Sequence, residues 1–207
     1  MRRTELHSIT QTTSPEGRVF VVSGPSGVGK DTVIGGLMAA PNRPPDLERL
    51  VTATTRLPRP GEVNGVDYHF LSEDEFCRRE ASGWFLETAL YLGKRYGTPY
   101  GPIPDMISSG TDIILKIETH GAQAVRRRVP DARLVFIMPP TLDVLMERLQ
   151  SRGTESESSR WQRLEEAERE MAEARHYDFV IINGDIGDAV DALRAIILAD
   201  RCRVGVS

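Results

Sequence analysis

Residues 21–33 read VVSGPSGVGKDTV: an apolar run, then glycines, a lysine and the start of a helical pattern. Gly24, Pro25, Ser26, Gly27, Val28, Gly29 and Lys30 spell G-x-x-x-x-G-K. At that spacing the glycines let backbone N–H groups turn inward on phosphate oxygens. The helix that follows presents its N-terminus to the same anion. Lys30 adds a point charge at the β- and γ-phosphates of a nucleotide. The residue after such a lysine is ordinarily Ser or Thr, whose hydroxyl reaches Mg²⁺. Here it is Asp31, with Thr32 one step later. The plain alternative is an ordinary glycine-rich turn between a strand and a helix.

A second constellation lies in TATTRLPRPGEVNGVDYHF, residues 52–70. Arg56 and Arg59 are stiffened by Pro58 and Pro60, and two guanidiniums so placed suit a phosphate monoester, which each can grip with two N–H groups. Tyr68 adds a hydroxyl donor. FLETALYLGKRYGTPYG, residues 85–101, supplies Glu87, Tyr96 and Thr98. Without a ligand these would be a basic surface loop and a half-buried strand.

Such groups need a frame. Five apolar runs read as buried strands: 18–23, 50–54, 112–118, 133–138 and 178–183. Helical patterns follow Lys30 and cover about 119–128, 141–151, 158–175 and 186–201. Strands alternating with helices predict a parallel sheet covered on both faces, with ligands at the carboxyl ends of the strands. Residues 56–101 break the alternation and read as an inserted substrate lobe. Within it, Ser72 and Glu75 have capping-box spacing for a helix start, and 85–92 reads as a strand. The polar stretch RGTESESSR, residues 152–160, reads as a lid.

The chain has 207 residues, 40% of them hydrophobic and 27% charged, which suits one domain with a sizeable core. A net charge of −4 argues against a general nucleic-acid binder. No apolar run approaches the roughly 20 residues of a membrane span. Cys77 and Cys202 form no metal-spaced cluster, and a reduced, cytoplasmic setting is expected. The polar residues 1–17 are expected to be a disordered tail, and 18–203 the folded domain. No pattern fixes an oligomeric state.

Taken together, these motifs resemble the guanylate kinases. GPSGVGK, TTRLPRPGEVNG with DYHF, FLE with RYGT, IMPP, and RLQSRGT followed by QRL occur in that order over nearly the whole chain. The resemblance implies a five-stranded parallel phosphate-loop kinase core (18–55 and 102–203), an inserted mixed α/β GMP-binding lobe (56–101) and a helical lid (about 148–163). It implies ATP as donor, GMP and dGMP as acceptors, and Mg²⁺. It assigns Arg56, Arg59, Tyr68 and Tyr96 to the GMP phosphate, and Glu87 to the guanine N1–H and 2-amino group. Thr52 and Thr98 would reach the other polar atoms of the base. Glu118 stands where the family has an aspartate near GMP. Arg148, Arg152 and Arg163 match lid arginines, and Asn183 lies in the segment near the adenine.

Three positions depart from the family pattern. Asp31 replaces the hydroxyl, Lys116-Ile117-Glu118 stands for an Asp-x-Asp pair, and His120 stands where a Gln is usual. One position gains a carboxylate while another exchanges one for an ammonium. This suggests that Asp31 joins the Mg²⁺ shell while Lys116 balances its charge or contacts phosphate. The alternative leaves Asp31 in solvent and Lys116 as an ordinary strand-end lysine. His69, Trp84 and Trp161 read as structural, and Glu165 with Arg169 as a solvated i,i+4 pair. Two rival functions stand beside the kinase: a phosphopeptide-binding module built on the same lobe, and a kinase for another small phosphorylated substrate.

Overall fold

The computed structural model describes residues 16–91, 93–150 and 157–203, with side chains at 120, 150 and 157–164 excepted. Residues 1–15, most of the expected tail, lie outside that set, as do 151–156 of the expected lid. Gly17 is already docked, its N–H donating to the Ile107 carbonyl at 2.8 Å.

Five strands form one all-parallel sheet: β1 (Val19–Ser23), β2 (Leu47–Arg49), β7 (Asp112–Lys116), β8 (Arg133–Met138) and β9 (Phe179–Ile182), in the order β2-β7-β1-β8-β9. All five residues of β1 are buried, as a central parallel strand requires. The period of two divides its side chains between the faces. Phe20 and Val22 pack with Leu37, Leu145, Leu193 and Ile197, which come from α1 (Lys30–Ala39), α5 (Leu142–Gln150) and α7 (Ile186–Arg201). Val19 and Val21 pack on the other face with Ile113, Leu115 and Val125, the last from α4 (Thr119–Arg128). The remaining long helix, α6 (Glu157–Ala172), contributes Ala167 to the first face.

A second sheet carries β3 (Ala53–Thr54), β4 (His69–Phe70), β5 (Phe85–Tyr91) and β6 (Lys94–Pro99) in the order β4-β3-β6-β5. Its core is Ala53, Phe76 and Phe85, with Trp84 against them. Phe76 stacks on Phe85 at 4.5 Å between centroids, and Trp84 meets Phe85 edge-on at 4.8 Å. Phe76 belongs to α2 (Glu73–Ala81), which starts at Ser72 as expected: the Ser72 hydroxyl accepts from the Glu75 N–H at 3.2 Å.

The run expected as one core strand over 50–54 divides differently. The parallel-sheet strand is 47–49, and 53–54 belongs to the small sheet. The chain stays extended and changes partners. The Leu50 N–H still bonds the Ile114 carbonyl at 3.0 Å, whereas the Thr52 carbonyl already accepts from His69 N–H at 2.8 Å. A further helix, α3 (Pro102–Ser108), was not expected. It opens on Pro102, and proline is tolerated in a first helical turn, where no N–H is needed.

Candidate active site

The loop after β1 turns on glycine. Gly24 has φ 146°, and a Cβ there would lie 2.2 Å from the Ile137 carbonyl oxygen. Gly29 has φ 99°, and a Cβ there would meet the Asn183 amide nitrogen at 2.6 Å. Helix α1 begins at Lys30, so its first N–H groups face the loop. The buried Lys30 ammonium donates to the Gly24 and Pro25 carbonyls at 2.5 and 3.3 Å and meets Glu118 Oε2 at 3.3 Å. Asn183, fully buried, donates from Nδ2 to the Val28 carbonyl at 2.7 Å. Arg148 donates to the carbonyls of Asn183 and Val28 at 3.0 and 3.3 Å. Asn183 and Arg148 thus clamp the loop.

Asp31 and Lys116 are in direct contact. Lys116 Nζ donates to Asp31 Oδ1 at 2.5 Å, and Arg49 stands 3.9 Å from the same oxygen. Desolvation in this crowded charge cluster pushes the Asp31 pKa up. The Lys116 charge and hydrogen bond, helped by Arg49 and Lys30, outweigh it and hold the carboxyl below its usual range. The Lys116 ammonium also lies 4.4 Å from the centre of the Tyr68 ring, and Thr32 is exposed.

The residues expected at the phosphate monoester share a cavity of about 90 Å³ with the loop: Arg56, Arg59, Tyr68 and Tyr96 line it together with Pro25, Ser26, Gly27, Gly29, Lys30 and Asp31, and with Lys116 and Glu118. Arg56 is aimed by a residue the sequence reading did not assign. Glu62 takes two N–H groups of the Arg56 guanidinium at 2.8 and 2.9 Å, and the Arg59 backbone N–H at 2.6 Å. That pairing holds the Glu62 carboxyl below its usual range. A glutamate three residues after Arg59 in a proline-stiffened loop was the available signal. Arg59 itself is exposed.

An adjoining cavity is lined by Thr52, Glu87, Thr98, Tyr68, Tyr96, Lys116 and Glu118. Glu87 is 7% exposed, and the Thr98 hydroxyl donates to its Oε1 at 2.7 Å. Oε2 is buried with no partner among the described residues. Burial, opposed by the Thr98 hydrogen bond and aided by Glu118, pushes Glu87 up to about 7. A buried acidic acceptor of this kind is matched to a ligand edge rich in N–H donors.

Glu170 of α6 is another group the sequence reading missed. It is 2% exposed, and burial raises it to about 7 against the Lys30 charge and the Ser26 N–H. Of the expected lid arginines, Arg152 lies outside the described residues. Arg163 falls within α6, but its side chain is outside the described set, as are those of His120 and Trp161. Glu165 and Arg169 pair at 3.6 Å with both side chains about 70% exposed, a solvated contact of little weight. His69 packs edge-on to Trp84 at 6.4 Å, and burial lowers its pKa, in keeping with a structural role. Among the described residues no cluster of three or more His, Cys, Asp or Glu could hold a metal by itself.

A parallel sheet in this strand order, with a glycine-lysine loop leading into α1 and a cationic cavity over it, has the layout of a phosphate-loop nucleotide-binding fold. The guanylate kinase family model matches residues 16–200. A guanylate kinase of Symbiobacterium thermophilum is 47% identical over 189 residues, covering 91% of this chain and 88% of the relative. One of Frankia casuarinae is 46% identical over 178 residues, covering 86% and 95%. The crystal structure of guanylate kinase from Anaplasma phagocytophilum superposes with a TM-score of 0.77 at 30% identity, covering 91% of this chain and 88% of that one. The chain belongs to the guanylate kinase family, and its class of activity is that of a transferase.

Proposed function

We propose that this chain transfers the γ-phosphoryl group of ATP to GMP and dGMP, giving GDP and dGDP, in purine nucleotide metabolism. The observation that carries the reading is Glu87: a buried carboxylate with one oxygen bonded by Thr98 and the other without a partner among the described residues. Guanine offers two neighbouring donors, N1–H and the 2-amino group, to such an edge. To the ionised form adenine offers a bare N1 acceptor, leaving the charge unmatched at a cost of about 1–3 kcal/mol, so the discrimination is fullest above the Glu87 pKa of about 7. A site built on hydrogen bonds can therefore reject AMP strongly. Thr52 and Thr98 take the base's other polar atoms, and Glu118 stands between the base and phosphate cavities. dGMP carries the same base and phosphate.

Arg56, Arg59, Tyr68 and Tyr96 hold the acceptor phosphate, with residues 56–101 as the GMP-binding lobe. The loop from Gly24 to Gly29, with Val28 braced by Asn183, cradles the donor phosphates. Lys30, released from its loop carbonyls, moves its charge onto them. The acceptor phosphate attacks in line, and no covalent intermediate forms. The chain contributes position and charge neutralisation. Arg148, Arg152 and Arg163 complete the charge matching as residues of about 148–163 close and exclude water.

The donor set suits Mg²⁺ only with substrate oxygens included. Asp31 offers one hard oxygen ligand beside the cavity, which fits an ion that takes one or two carboxylates and otherwise phosphates and water. Mg²⁺ when bound neutralises charge on the β- and γ-phosphates, and Asp31 would hold it directly or through water. A cytoplasmic setting belongs to the same reading, supported by two exposed free thiols. Among the described residues no helix is long and apolar enough to cross a membrane.

The test is ADP production from ATP and Mg²⁺ with GMP, AMP or no acceptor. GMP-dependent ADP and GDP formation is expected, with AMP far poorer. Binding of GMP without turnover would instead favour the phosphopeptide-module reading.

A further inference from the structure

Lys116 ends β7 with its side chain only 7% exposed. A buried ammonium must be paired and hydrogen-bonded to persist. Its partners here are Asp31 Oδ1 at 2.5 Å and the face of the Tyr68 ring at 4.4 Å. An ammonium carries three N–H donors, and Asp31 takes one. Lys116 lines both the cavity with the phosphate loop and the one with Glu87, so it stands where the two meet with donor capacity beyond its bond to Asp31. An acceptor nucleotide with its base on Glu87 and its phosphate on Arg56 must pass this point.

The other cations of the phosphate cavity are held differently. Arg56 gives two N–H groups to Glu62, and Lys30 is folded onto loop carbonyls and Glu118 on the donor side. Arg59 is exposed. Lys116 alone among these four combines deep burial with a place in both cavities, and its carboxylate partner, Asp31, sits at the start of α1 with 69% of its side chain exposed.

We propose that Lys116 is an acceptor-binding residue that donates to the phosphate monoester of GMP from the junction of the two cavities, held there by its bond to Asp31. The proposal rests on the GMP reading above and assigns Lys116 to the acceptor rather than to the donor phosphates. Asp31 supplies the counter-charge that lets the ammonium stay buried beside Lys30, Arg49 and Arg56.

Calorimetric titration of GMP and of guanosine, without ATP or metal, tests it on the full chain with four variants: K116M, K116R, D31N and the double variant D31N/K116M. K116M is expected to weaken GMP binding by on the order of tenfold or more, the strength of a charged hydrogen bond, and to weaken guanosine binding much less, so that the affinity gained from the phosphate shrinks. K116R is expected to retain most of the GMP affinity. K116M also removes the nearest counter-charge of Asp31, leaving Arg49 at 3.9 Å, so a loss in that variant alone is also explained by repulsion of the phosphate by Asp31. The double variant removes that charge and, compared with D31N, is expected still to bind GMP about tenfold more weakly. It also serves if K116M does not fold. Unchanged GMP affinity in K116M, or equal affinities in D31N and D31N/K116M, would overturn the proposal. A wild-type chain that binds guanosine but gains nothing from the phosphate overturns it as well. A wild-type chain that binds neither compound removes the GMP reading first, and this inference with it.

Discussion

Thr98 bonds one oxygen of the Glu87 carboxylate and leaves the other buried without a partner among the described residues, so the cavity they line has a built-in demand for a donor. Glu87→Gln replaces one acceptor oxygen by an N–H₂ donor. GMP then loses one hydrogen bond and faces a donor-donor clash. The KM for GMP is expected to rise about 100-fold, a change of about 3 kcal/mol, and the preference for GMP over AMP to collapse. Steady-state kinetics with both acceptors measure it.

On the proposed reading, the raised pKa of Glu87 is expected to make guanine binding pH-dependent. Guanine needs the ionised carboxylate, and Glu87 ionises only as pH rises through about 7. Affinity is therefore expected to climb from pH 6 to pH 8 and then level off. Guanosine is the better probe, because its binding is free of the phosphate's own titration. A flat guanosine profile across this range would remove the proton from the account.

Stability of the free chain should run the opposite way. Glu87 and Glu170 both titrate near 7 when folded, against an ordinary value of 4.5. Between those values the folded state holds protons that the unfolded chain releases, so their stabilising contribution is complete below about pH 4.5 and is lost as pH rises through about 7. Thermal unfolding of the ligand-free chain should give a lower Tm at pH 8 than at pH 5.5. In Glu87→Gln/Glu170→Gln the difference should shrink.

Glu62 aims Arg56 without being in a position to bind the base. In Glu62→Ala the guanidinium loses two hydrogen bonds and its fixed angle. The KM for GMP is expected to rise about tenfold, since small misplacements of a phosphate clamp are costly. The ATP KM should stay close to wild type. Kinetics with each substrate varied in turn separate the two.

The metal assignment is tested at Asp31. Asp31→Ala is expected to raise the Mg²⁺ concentration needed for half-maximal turnover, and Asp31→Ser to restore part of it, because a hydroxyl can take the same place. Identical Mg²⁺ curves for wild type and both variants would remove Asp31 from the metal's surroundings.

Much of this was legible in the sequence because the signals are local. The β1 run is apolar throughout, as a strand buried on both faces must be, and the glycines and lysine that follow fix a loop whatever surrounds them. Ser72 announced its helix through a cap made within four residues. What escaped depends on partners far along the chain. The change of sheet between Leu50 and Ala53 is decided by strands near residues 69, 97 and 114, and no periodicity within 47–54 encodes it. The Asp31–Lys116 bond spans 85 positions. Their exchanged charges hinted at a pairing, but only the parallel register of β1 with β7 brings the end of β7 beside the loop. Glu170 reached the same loop from α6 without any local mark.

The handover within residues 47–54 also sets where the acceptor cavity lies. Leu50 is fastened to the large sheet and Thr52 to the small one, two residues further on. Arg128 ties the two sheets a second time, donating to the Phe85 and Leu86 carbonyls at 3.1 and 2.8 Å. Thr52, which lines the cavity with Glu87, stands at the seam itself, and Arg56 and Arg59 follow on the loop that leaves it for the other cavity. One short seam thus carries a side chain for each cavity, the neutral one at the join and the charged ones on the loop beyond.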